Sequence, residues 1–242
     1  MNEADRMPLS PPIETRRPRR RRRLRWIIGG GVGLLVLLVL VVVAAAALSP
    51  GSAPPPLALP SGAAPAVGAG DADGTWRVAP GSVAGFRLTQ TFLGNDTDVV
   101  GRTGAVTGDV AVAHGQVVSA NLRVGLAAIT VGGKAPPQLA LSLETRSHPD
   151  ATFTLTRPFA LGAATTAGTA ATATAAGRLT LRGVTRAVTF TVTGRWDGPS
   201  LRAVGSIPVA LADWGVEGPE NYGWLGSLSD HGTAEFLLVL RR

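Results

Sequence analysis

The side chains that could perform acid–base or metal chemistry are few in this sequence and stand apart from one another. Three histidines occur, His114, His148 and His231, and none has a second histidine or a carboxylate at a spacing familiar from metal sites. The chain contains no cysteine, which removes disulfides, thiolate zinc sites, iron–sulfur clusters and cysteine nucleophiles. The three histidines are therefore expected to be ordinary loop residues.

No segment carries a recognisable catalytic or nucleotide-binding motif. Residues 95–98 (Asn-Asp-Thr-Asp) resemble the start of a calcium loop, but the glycine and the distal glutamate of an EF-hand are missing, so we predict a polar hairpin turn. A nucleophile elbow, a P-loop and an HExxH motif are all absent from the sequence. We therefore predict no catalytic residue, no metal, no cofactor and no enzymatic activity.

The net charge of +7 is concentrated at one end of the chain. Residues 1–25 carry nine arginines and three acids, residues 26–70 carry no charge, and residues 71–242 carry 14 basic and 13 acidic groups. The larger part of the chain is therefore almost neutral and offers no surface that would follow a phosphate backbone. The sequence predicts no nucleic-acid partner, despite the overall basic charge.

Residues 27–48 form an unbroken apolar run of 22 residues. As a helix they would span roughly 33 Å, against a hydrocarbon core of about 30 Å, so we predict a transmembrane helix at residues 26–48, with Trp26 at the interface. Arginines precede the run and none follows it before Arg77, which predicts a cytoplasmic N-terminus and an extracytoplasmic C-terminal part in the cell membrane. We expect the arginines of residues 16–25 to contact anionic lipid head groups.

A cleaved signal peptide, giving a secreted or periplasmic protein, is the alternative for this segment, although its apolar region is normally shorter. The glycines of residues 29–33 allow close helix packing and hence a homodimer.

The sequence divides into four parts. Residues 1–25 are an Arg-rich tail, residues 26–48 the membrane helix, residues 49–73 a linker rich in Pro, Ala and Gly, and residues 74–242 a folded domain. The linker shows neither helical nor strand periodicity, so we expect a partly extended tether.

Within residues 74–242 the hydrophobic period is two, as in Ala84, Phe86 and Leu88. About eight such runs alternate with turn residues, which predicts an antiparallel sheet. An all-β barrel of about eight strands removes exposed edges, whereas a two-sheet sandwich is the structural alternative. Residues 133–148 are expected to hold a short helix, and the Ala/Thr-rich residues 163–176 a loosely specified hairpin connection that leads into a strand.

The apolar faces of these strands suit a long apolar ligand inside the barrel. We predict twelve inward-facing, lipid-binding cavity residues: Phe86, Leu88, Leu122, Val124, Phe153, Leu155, Val188, Phe190, Val209, Trp214, Phe236 and Leu238. Trp214, Trp224 and Tyr222 could instead form a rim or lid.

Four segments, in order, resemble the YceI family of bacterial polyisoprenoid-binding proteins. Residues 177–190 (GRLTLRGVTRAVTF) match its most specific signature, residues 76–86 (WRVAPGSVAGF) its opening, residues 148–153 (HPDATF) an internal motif and residues 213–216 (DWGV) a motif near the end. The resemblance covers about residues 75–240.

The resemblance implies a lipocalin-like barrel with an elongated cavity for an isoprenoid tail, in a protein of the bacterial cell envelope. A polyprenyl lipid carrier or an isoprenoid quinone is the implied ligand. Two alternatives remain: a structural or interaction barrel filled by its own side chains, and an enzyme on an isoprenoid substrate that would use a polar group such as Asp213 or His231.

Overall fold

The computed structural model of the protein describes residues 53–61, 72–160, 162, 169–197, 199–216 and 226–242. Twelve strands and one α-helix lie in these residues. The strands are β1 (Gly74–Val78), β2 (Val83–Phe92), β3 (Asn95–Thr103), β4 (Val106–Ala113), β5 (Gln116–Gly125), β6 (Thr130–Val131), β7 (Asp150–Leu155), β8 (Phe159–Ala160), β9 (Ala171–Leu181), β10 (Val184–Asp197), β11 (Ser200–Ala210) and β12 (Gly226–Arg241), and the helix is α1 (Pro137–Ser142).

The sheet closes on itself as an eight-stranded antiparallel barrel. Its order is β1–β4–β5–β7–β9–β10–β11–β12, and β12 pairs again with β1. Strands β2 and β3 take the places beside β12 that β1 and β4 take at the other end of the barrel. β12 pairs with β2 along most of its length and with β1 only near its end. The predicted all-β barrel is confirmed, and the two-sheet sandwich is not what forms.

The side chain of Ser82 connects the bend between β1 and β2 to the neighbouring strand β12. Its buried hydroxyl accepts a hydrogen bond from the Val239 main-chain N–H at 2.9 Å and lies 2.8 Å from the Ala79 carbonyl oxygen, to which it donates. The Ala79 N–H in turn donates to the Val239 carbonyl at 2.8 Å. A side chain therefore substitutes for a ladder bond at the point where the strand bends.

The core consists of two clusters of buried side chains. The tryptophan cluster contains Trp76, Trp196, Val112, Leu201 and Leu240, and the helix-side cluster contains Phe153, Phe190, Trp214, Leu143 and Ile129, among others. Helix α1 begins with a proline in its first turn, where no N–H is needed, and its Leu139 packs against the helix-side cluster. The short helix expected in residues 133–148 is thus confirmed.

Three expectations for the domain need correction. Residues 95–98, predicted as a polar hairpin turn, begin strand β3, because the turn itself consists of Leu93 and Gly94 between the paired Phe92 and Asn95. His231, expected in a loop, lies in β12 and pairs with Ala210. The Ala/Thr-rich segment is not only a loose connection, because Ala171 already begins strand β9, which runs in register with β10 for its whole length. Within the described residues, no helix is long and apolar enough to cross a membrane. The predicted tail and membrane helix lie outside those residues, as do Tyr222 and Trp224.

Candidate functional site

An apolar cavity lies inside the barrel where the two clusters meet. Five half-buried side chains pack against both clusters, and all of them line the cavity: Leu122, Leu155, Phe159, Ala203 and Phe236. Its other lining residues are also apolar, so the cavity offers contact with hydrocarbon and no hydrogen-bonding side chain.

The cavity is narrow. Its volume is about 70 Å³, counted as the space open to the centre of a water-sized sphere. One water needs about 10–15 Å³ of such space, so there is room for about five to seven groups of that size. This is smaller than the elongated cavity that the family resemblance implies.

Small residues on neighbouring strands create the open space. Ala171, Ala173 and Ala175 present three successive inward positions of β9, and Gly194 and Ala203 continue the same wall on β10 and β11. A methyl group or a hydrogen at each position leaves the lumen unfilled, whereas larger aliphatic side chains would close it.

Glycines let two phenylalanine rings lie against the barrel wall. The ring of Phe153 lies over Gly177, where an added Cβ would come within 2.3 Å of it, and the ring of Phe236 lies over Gly205, where the distance would be 2.6 Å. Phe190 stands between these rings, with centroid separations of 5.4 Å to Phe153 and 5.7 Å to Phe236 in edge-on arrangements. The glycines thus keep the rings away from the centre of the lumen.

The twelve residues predicted to line the cavity separate into two equal groups. Six line it: Leu122, Phe153, Leu155, Phe190, Phe236 and Leu238. The other six pack elsewhere: Phe86, Val188 and Val209 border the helix-side cluster, Val124 borders the tryptophan cluster, Leu88 lies over Gly232, and Trp214 is buried in the helix-side cluster with its indole N–H 3.5 Å from the Leu179 carbonyl.

Sequence reasoning missed twelve of the cavity residues, several of which are small or lie close to a strand end. Besides the five small residues of the wall, the missed lining residues are Val110, Val117, Ala120, Phe159, Val192, Leu201 and Leu240. The alternation of residues 171–175 (Ala-Thr-Ala-Thr-Ala) was a usable signal, because it has the period of a strand with one apolar face.

A tryptophan pair packs in the barrel core beside the N-terminal segment. The rings of Trp76 and Trp196 are 4.7 Å apart, and the Trp76 indole N–H donates to the Ala72 carbonyl at 2.9 Å. The Arg242 guanidinium lies 4.8 Å from the centroid of the Trp76 ring, a cation–π distance.

Asp73 fixes the chain beside this pair to the β4–β5 turn. Its carboxylate accepts hydrogen bonds from the main-chain N–H groups of His114 at 2.9 Å and Gly115 at 3.3 Å. These two bonds are the main reason why the pKa of Asp73 is lowered from its ordinary value of 3.8.

The polar residues considered for an enzymatic alternative lie outside the cavity. Asp213 and His231 are exposed, and the His231 ring pairs with neighbouring Asp230 at 2.5 Å. His148 lies 3.9 Å from Glu144, which also pairs with Arg182 beside α1. The described residues contain no group of three or more possible metal ligands.

A closed antiparallel barrel of eight strands around a small apolar cavity belongs to the class of small β-barrels whose interior is either filled by side chains or holds one ligand. The chain belongs to the YceI family, because the model of the YceI-like domain matches residues 76–240. The comparison with curated proteins found no match.

Two similar solved structures have the same fold. One is a polyisoprenoid-binding domain from Saccharophagus degradans implicated in plant cell wall breakdown, at 16% identity and a TM-score of 0.51, with 69% of this chain and 97% of that one covered. The other is BcnA from Burkholderia cenocepacia, at 18% identity and a TM-score of 0.51, with 72% and 98% covered.

Proposed function

We propose that this protein binds a long isoprenoid lipid, a polyprenyl carrier or an isoprenoid quinone, with part of the tail inside the barrel. The observation that carries the proposal is the wholly apolar lining of the cavity, with Phe153, Phe190 and Phe236 grouped around it. A related fold in Saccharophagus degradans belongs to a polyisoprenoid-binding domain, which supports the same ligand class here.

The volume of the cavity limits how the lipid is held. Room for about five to seven water-sized groups matches about one five-carbon isoprene unit. A longer tail requires the side chains where the two clusters meet to separate, and Phe159 and Phe236 are only half-buried there. Binding therefore widens a narrow lumen.

The energetics favour a holding or shuttling role. Burial of one CH₂ from water contributes about 0.8 kcal/mol, but the bilayer is as apolar as the barrel, so net transfer from membrane to protein is close to neutral. A lipid can then enter and leave without a large free-energy change. No step of bond making or breaking is part of the proposal.

The proposed site of action is the extracytoplasmic face of the cell membrane. The apolar residues 27–48, flanked by arginines on one side only, support an anchor with the barrel outside the cytoplasm. The arginines of residues 16–25 would then face anionic lipid head groups. An anchored barrel stays at high local concentration beside its lipid source.

Lipid extraction and native mass spectrometry of the full chain, purified in a mild detergent from its own host, test the proposal. We expect a stoichiometric isoprenoid lipid. A matched preparation of Ala203→Leu, which fills the cavity, should lose it, whereas Ala187→Leu on the exposed outer face should retain it. Wild-type protein that repeatedly carries no isoprenoid would overturn the proposal.

The narrowness of the cavity favours a second candidate function, a structural or interaction barrel whose interior is filled mainly by its own side chains. This candidate predicts that the wild type and Ala203→Leu carry equally little lipid and that both retain any crosslinked envelope partner. The same two preparations therefore separate the candidates.

A further inference from the structure

The first described segment of the chain, residues 53–61, is held against the outer wall of the barrel. Two of its carbonyl oxygens accept hydrogen bonds from arginines: the Pro54 carbonyl from Arg87 at 2.7 Å and the Pro55 carbonyl from Arg102. Ala53, Leu57 and Leu59 are half-buried, while the residues between them are exposed. We call residues 53–61 the strap.

The two arginines belong to a charged cluster on the outer face of β2, β3 and β12. Arg87 donates to Glu235 and to Asp98, each at 2.7 Å, and Arg102 lies 3.4 Å from the other Glu235 oxygen. Glu235 is only 6% exposed although its strand neighbour Phe236 faces the lumen. A carboxylate so deeply buried on an outer wall needs both guanidiniums beside it.

The formal charges of this cluster cancel. The further hydrogen bonds that it can form are therefore those that guanidinium N–H groups donate to an acceptor. Two guanidiniums face two carboxylates, and guanidiniums only donate hydrogen bonds. Burial alone would lower the pKa of Arg87, but hydrogen bonds to Glu235 and Asp98 outweigh that effect and raise it, so the donor remains charged. The fitting partner is an uncharged segment that offers carbonyl oxygens.

A proline-rich segment meets this requirement. Residues 54–56 are three consecutive prolines, which have carbonyl oxygens but no N–H groups. Their restricted backbone loses little freedom on docking, and their carbonyls have no internal partners in an extended conformation. The surface and the segment thus match in both hydrogen bonding and charge.

We propose that the Arg87–Arg102–Glu235 surface is a docking site for the chain's own proline-rich strap, so that residues 53–61 of the predicted linker are docked on the barrel. Pro54 follows Leu48 by six residues, and a chain of that length reaches about 20 Å at most. Undocked, the 25 residues of the tether would reach about 85 Å. If the proposed anchor is present, docking sets the working length of the tether.

Distance measurements between two spin labels on the full chain in detergent test the strap. The chain has no cysteine, so Ala58→Cys on the strap and Thr174→Cys on β9, both exposed, give a unique labelled pair. We expect a narrow distance distribution in this otherwise native chain. A broad distribution would overturn the proposal.

Two sets of variants test what holds the strap. Replacing Pro54, Pro55 and Pro56 by glycine changes no residue of the barrel and should lower the equilibrium constant for docking about tenfold, because the undocked chain gains freedom. Arg87→Lys with Arg102→Lys keeps the charge but removes the forked donors, and it should also broaden the distribution. Arg123→Lys, in the exposed ion pair with Asp150, is the matched control and should not change it.

A distribution that stays narrow in both variant sets would show that the prolines and arginines do not hold the strap, and the proposal would be wrong. The measurement involves no lipid. It can therefore fail while lipid binding is confirmed, or succeed while lipid binding is disproved.

Discussion

Ala203→Leu is expected to stabilise the lipid-free protein while abolishing lipid binding. Ala203 lines the cavity and packs against both core clusters, so a leucine there extends into the lumen. Filling a cavity of about 70 Å³ at about 24 cal/mol per Å³ contributes about 1.7 kcal/mol. Three added carbons at about 0.8 kcal/mol each give about 2.4 kcal/mol, which agrees in size. The added atoms number fewer than the groups for which there is room, so we expect little overpacking.

The assay compares urea and thermal unfolding of delipidated wild type, Ala203→Leu and Ala187→Leu, together with the lipid retained on purification. A gain of about 2 kcal/mol corresponds to a rise in Tm of about 4–8 °C for a domain of this size. The outer-face control should change neither quantity. An Ala203→Leu protein that is more stable and still carries isoprenoid would show that the lipid binds elsewhere. A less stable one with unchanged lipid content would show that no usable lumen exists at this position.

Three further outcomes are expected. Gly177→Ala should destabilise the protein by about 1–3 kcal/mol in urea unfolding, since its Cβ would meet the Phe153 ring and the Thr154 carbonyl, and adding Phe153→Leu should recover part of this loss. The pKa of the Asp73 carboxyl is lowered in the folded state, so its carboxylate should stabilise the protein above pH 3.8. This stabilisation should be lost as the pH falls through the folded-state pKa. The difference in unfolding free energy between the wild type and Asp73→Asn should therefore shrink only below pH 3.8. Ser82→Ala should lower Tm by several degrees, because it leaves the buried Val239 N–H without its acceptor.

The barrel was predictable because each strand carries its own signal. Alternation such as Phe86–Arg87–Leu88 needs only one apolar face to be buried, and the structure places Phe86 in the core border and Arg87 on the outer wall. The position of a residue along the barrel axis has no such signal. Val188 and Phe190 alternate identically in sequence, yet Phe190 lines the cavity and Val188 only borders the helix-side cluster.

The contacts of the strap with the barrel could not be predicted from the sequence either. The composition of residues 49–73 predicts a partly extended linker, but composition says nothing about a partner surface. That surface combines Arg87, Arg102 and Glu235 from three strands, which the pairing of β2 with both β12 and β3 brings together.

The Ala/Thr-rich residues 171–175, whose low complexity indicates little about function, form part of the cavity wall. In residues 171–175 every inward position is alanine and every outward position is threonine, and the outward Thr172 bonds across to Thr193 at 3.0 Å. β-branched threonines favour the strand, while alanines supply the smallest side chain that still specifies one face. A strand of this composition keeps its register through its outer face and leaves space on its inner face. Low complexity here is therefore the expected composition of a wall that must be well ordered and yet leave an apolar space inside the barrel.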